Sequence, residues 1–119
     1  MSVPAFLLKK LYVKGSLKNT EQGFELALKN TLAPGTLIGV GPLTIDEAIY
    51  PPEAITMKTA QSQWRGDQIN SRSPVTFGLN AEIQVAVQGQ PLTPGSHHIV
   101  FSVLTREVGK IEFDLTDTI

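Results

Sequence analysis

The stretch "LTPGSHHIVFSV", Leu92 to Val103, sets a turn-forming head against an apolar run and carries both histidines of the chain. Successive side chains of a strand point to opposite faces, so the run from His97 to Thr105 divides cleanly. His97, Ile99, Phe101 and Val103 fall on one face, while His98, Val100, Ser102 and Leu104 fall on the other. Read this way the segment is a strand, and the two imidazoles cannot grip one metal ion because they face apart. Ile99 and Val100 occupy the positions where second ligands would have to stand. His97 then has a structural place at the rim of a core, and His98 a solvated one.

The same period of two recurs on either side. Leu11, Val13 and Leu17 alternate with polar neighbours, as do Phe24, Leu26 and Leu28, then Ile83, Val85 and Val87, then Ile111, Phe113 and Leu115. Gly and Pro interrupt nearly every window long enough to show a helical period. Turn clusters such as "NTEQG", "NTLAPGT", "YPPE" and "QGQPLTPGS" separate the runs. Short alternating strands with frequent turn residues predict an all-β, single-domain antiparallel β-sandwich over residues 1–119, immunoglobulin-like or jelly-roll-like, with about eight strands. Its expected core is Phe24, Leu26, Val85, Phe101 and Phe113 with their alternating neighbours.

Composition sets the bounds. With 119 residues, 41% of them hydrophobic and 18% charged, the chain can close one core. A net charge of -1 leaves no electrostatic footprint for nucleic acid or an anionic membrane. Cysteine is absent, which excludes disulfides and thiolate metal sites. The opening "MSVPAFLLKK" has no basic region ahead of its apolar residues, and no stretch nears the roughly 20 apolar residues of a membrane span. A cytoplasmic location is expected.

Catalytic motifs are missing. "GVGP" lacks the helix that would cradle phosphate, and no G-x-S-x-G, Walker loop or H-E-x-x-H is present. Asp46 and Glu47, between "LTI" and "AIY", read as a hairpin tip. No catalytic residue, metal ligand or cofactor site is expected. Two candidate binding features stand out. The polar segment Thr59–Ser73 holds the only tryptophan, Trp64, beside Arg65, and reads either as a cap over the sandwich end or as a binding loop. An aromatic face and a guanidinium would together suit a small carbohydrate. The outward row Val100 and Leu104, joined by Ala86 and Ala27 at outward parity, is too apolar for a solvated face and suits a protein partner or a second copy.

The ordered segments "GSLKNTEQGFELALKN", "LTIDEAIYPPEAITMK", "FGLNAEIQVAVQG" and "LTPGSHHIVFSVLTREVG" resemble the small β-subunit of bacterial C-glycoside deglycosidases, and more closely its short stand-alone relatives. That resemblance implies a β-sandwich accessory subunit, itself non-catalytic, that pairs with a TIM-barrel α-subunit in sugar metabolism. It places Gly95 and His97 in a Pro-Gly-x-His turn of the fold. The chain departs from that pattern at "TLAPG", Thr31 to Gly35, and at the turn Ile45-Asp46-Glu47. Short chains of this look sometimes carry a hydroxymethylglutaryl-CoA reductase label. Neither the length nor a nucleotide loop of such an enzyme is present, which argues against that label. A free-standing carbohydrate- or protein-binding module is the alternative.

Overall fold

The computed structural model describes residues 4–119, so the first three residues of the stretch read for a targeting signal lie outside the described residues. Two antiparallel sheets pack face to face without closing into a barrel. Strands β1 (Lys18–Thr20), β2 (Gly23–Lys29), β8 (Glu82–Gln88), β5 (Ile55–Lys58) and β6 (Gln63–Arg65) form the first, in the spatial order β1-β2-β8-β5-β6. The second has the order β10-β9-β3-β4, from β10 (Gly109–Thr118), β9 (Ser96–Thr105), β3 (Gly35–Ile45) and β4 (Ala48–Tyr50). The short β7 (Val75–Phe77) pairs with the opening residues of β3. The chain is an all-β sandwich.

Alternation builds the core from both sheets. Side chains directly opposite on paired strands share a face. Leu26, Val85, Met57 and Trp64 therefore form one inward row across the first sheet. Ile99, Phe101 and Val103 of β9 meet Leu115, Phe113 and Ile111 of β10 in the second. Phe24, Leu26, Val85, Phe101 and Phe113 are all buried, as the alternation requires. Phe101 stacks on Phe113 with centroids 6.4 Å apart, and Phe24 meets Tyr50 edge-on at 5.4 Å.

Ten strands are present among the described residues, against about eight expected, because three-residue strands such as β4 and β6 are too short to show a period. The run Leu11–Leu17 is not a strand. Ala5–Leu8 forms one helical turn, Lys9–Leu11 a 3-10 turn, and Tyr12 makes a single bridge to Leu28. Leu8 and Leu11, three apart, are both buried from this short helical segment.

Candidate functional site

His97 opens β9 on the inward face and is buried. Its Nδ1–H donates to Asp46 Oδ2 and its Nε2–H to the Thr93 carbonyl, each at 2.7 Å. Both ring nitrogens face acceptors, so the doubly protonated ring is the form that satisfies both contacts. The Asp46 hydrogen bond and then the Thr93 carbonyl raise the His97 pKa above its ordinary value. Asp46 sits at the β3–β4 turn with φ 54, as a hairpin tip, and its Oδ1 also accepts the backbone N–H of His98. These two bonds, the His97 one first, hold its carboxyl below the usual range. The pair staples a hairpin tip to the head of β9. Sequence reasoning placed both residues but not their contact, since they stand 51 positions apart. Gly95, at φ 123, supplies a backbone conformation that side chains rarely adopt in the turn before His97.

Trp64 and Arg65 part company. They are adjacent on β6, so Trp64 turns inward beside Met57, half-buried against the core, while Arg65 points outward in line with Thr56. Arg65 clasps Asp67 through two side-chain hydrogen bonds, which ties the "RGD" triplet to itself. Thr59–Ser73 is therefore no bare loop: it contains β6, a 3-10 turn at Gly66–Gln68 and a bridge from Asn70 to Ser73. Trp64 still lines a surface hollow, together with Gln61, Ser62 and Glu82.

The outward row of β9 lies at the centre of the second sheet. Val100 aligns with Thr44 of β3 and Ile49 of β4, and Leu104 with Gly39 of β3. Ile49 is 69% exposed and Leu104 43%. Gly39 and Gly41 keep the β3 side of this face low. A Cβ on Gly41 would stand 2.0 Å from Ser102 Oγ, and one on Gly39 would stand 3.2 Å from Leu104 Cβ. On the β10 side Lys110, Glu112 and Asp114 edge the patch, and Asp114 meets His98 Nε2 at 2.5 Å. Ala27 and Ala86 do not extend it. They lie on β2 and β8, in the other sheet, so their outward side is the far side of the sandwich. Alternation shows which side of a strand is buried and not which sheet it joins.

Among the described residues no three His, Asp or Glu side chains gather into a group that could hold a metal ion. Nor is any helix long and apolar enough to cross a membrane.

The family model of the hydroxymethylglutaryl-CoA reductase N-terminal domain matches residues 7–119. No curated protein matches the chain. The match overturns the resemblance to C-glycoside deglycosidase β-subunits, which rested on turn and strand segments that many sandwiches share. The sugar-metabolism assignment and the TIM-barrel partner drew on that resemblance and lose its support. The reductase label was set aside on length and the lack of a nucleotide loop, but those arguments bear on a whole enzyme and not on one domain. With the match running from residue 7 to the last residue, the chain belongs to the family of hydroxymethylglutaryl-CoA reductase N-terminal domains.

Proposed function

We propose that this chain is a non-catalytic accessory domain that docks onto a protein partner through the outer face of its four-stranded sheet. The observation that carries this reading is the outward row of β9, Val100 and Leu104 with Ser102 between them, together with the exposed Ile49 on the edge strand β4, laid beside Gly39 and Gly41 and edged by the charges of β10. An apolar centre with a polar margin is the usual anatomy of a protein interface. Each histidine is bonded to a carboxylate, His97 to Asp46 and His98 to Asp114, so both have a place in tying strands together. The family name points to the partner's nature: the catalytic part of a hydroxymethylglutaryl-CoA reductase, in the same polypeptide or a separate one.

The test is Leu104→Lys, read by light scattering and by co-purification with that catalytic part. Assembly should weaken at least tenfold while the circular dichroism spectrum stays that of a strand protein. A chain that stays monomeric and captures no catalytic part, or an unaltered assembly in Leu104→Lys, would sink the docking face. The second reading, a free-standing carbohydrate-binding module, keeps Trp64 in its hollow and releases Arg65, which faces away. Trp64 is the only tryptophan, so its fluorescence reports this alternative directly. Quenching by monosaccharides with no protein partner present would favour it.

A further inference from the structure

Between the sheets, at the end where β9 turns into β10, lies a cavity of about 170 Å³. Leu28, Met57 and Ile83 line it from one sheet, and Val103, Ile111 and Phe113 from the other. The loop Leu32–Gly35 and the turn residues Glu107 and Val108 complete its wall. Leu32, Ala33, Pro34 and Glu107 are exposed, so the cavity reaches solvent on this side.

Three polar side chains border it, and each is already committed. Asn30 Nδ2 donates to the carbonyls of Ala33 and Phe77, and its Oδ1 accepts from the Leu32 and Ala33 amides. Thr105 Oγ1 donates to the Gly109 carbonyl and accepts from Val108 N–H. Both Glu107 oxygens are taken by Thr36, one by its N–H and one by its hydroxyl, each at 2.8 Å. A polar group entering the cavity would lose water and find no partner. An anion would also meet the Glu107 carboxylate at the rim. Apolar cavities near 150 Å³ stay dry and take up benzene.

We propose that this cavity is a binding site for a neutral apolar group of about six carbons, a ring or short aliphatic tail on a small molecule whose remainder stays in water. The bonds of Asn30 fix the loop, and those of Glu107 tie the turn to Thr36 at the start of β3. The site therefore exists before the ligand arrives. It is distinct from the docking face, and neither reading depends on the other.

Methyl-labelled NMR of the whole chain tests it, with benzene, 1-hexanol and hexanoate as probes. Benzene and hexanol should shift the methyl signals of Leu28, Val103 and Ile111, and leave Leu43 and Ile99, at the other end of the ladder, in place. Hexanoate should bind at least tenfold more weakly than hexanol, and equal binding would overturn the neutral-head assignment. Two blocking variants come from the loop and from the turn. Gly35→Leu adds a side chain where a Cβ meets nothing nearer than 3.9 Å, and Val108→Phe fills from the turn. Either should abolish the shifts with the other methyl signals retained. No shift up to the solubility of benzene, shifts spread evenly over both ends, or shifts that survive a folded blocking variant would each overturn the site. The titration of the unaltered chain decides the matter even if a variant fails to fold.

Discussion

Asp117 stands directly across the β9–β10 ladder from His97, yet the two buried side chains bind different segments of the chain. His97 holds the hairpin tip through Asp46 and the preceding turn through Thr93. Asp117 accepts from the Tyr12 hydroxyl at 2.5 Å and from Gly15 N–H at 2.8 Å, which pins the segment before β1. One end of the sandwich is thus closed by two adjacent but separate polar clasps.

The His97 clasp gives stability a pH signature. His97 has a raised pKa in the fold, so its contribution is full below its ordinary value of 6.5 and is lost as pH rises through the raised one. Asp46 has a lowered pKa, so its contribution is present above 3.8 and is lost as pH falls through the depressed value. The pair should hold best between these two ordinary values. Urea unfolding from pH 5 to 9 should show the midpoint falling on the alkaline side in the native chain and a flatter profile in Asp46→Asn. Identical slopes would show that the clasp does not stabilise.

Tyr12 reports the other clasp. Burial, then the hydrogen bond to Asp117, pushes its pKa up to about 12. For Asp117, burial pushes the carboxyl up, but the bonds from Tyr12, Gly15 and Thr118 outweigh it and leave it lowered. Ultraviolet titration in a Tyr50→Phe background should place the Tyr12 transition near 12 and move it down in Asp117→Asn. A transition near 10 in both chains would mean that Tyr12 is free.

Gly41 should tolerate no side chain. Gly41→Ala sets a methyl against Ser102 and should destabilise by about 1–3 kcal/mol, the usual range for overpacking. Ser102→Ala removes the nearest atom and leaves contacts at 3.2 and 3.3 Å, so the double variant should recover part of the loss. Denaturant midpoints of the two singles and the double decide it, and additive effects would count against the contact.

Asn30→Ala should cost about 1–3 kcal/mol, because the buried Phe77 carbonyl and the part-buried backbone groups of Leu32 and Ala33 lose their partner. The loss should appear in urea unfolding and as faster amide exchange at Leu32 and Ala33. A neutral substitution would show that water replaces the side chain.

Much of the fold was legible because each long strand buries one face, and five of the five expected core side chains are inside. Sheet membership was not, which is why Ala27 and Ala86 were joined to Val100 and Leu104 across the sandwich. Contacts between distant segments leave no local pattern either, so Asp46 could be read as a turn residue but not as the partner of His97. Trp64 and Arg65 lie on a strand only three residues long, where alternation has nothing to repeat. Their opposite orientations emerged only from pairing with β5.

The sheet order also separates local from long-range pairing in time. β9 and β10 are joined by a tight turn and zip from Thr105 and Gly109 outward, so their ladder closes with little loss of chain entropy. β2 cannot meet β8 until everything from β3 to β7 has looped away between them. Closing that long excursion should limit the rate, which places folding in the millisecond-to-second regime of non-local β topologies. Amides of β9 and β10 should then gain protection before those of β2 in a pulse-labelled refolding experiment.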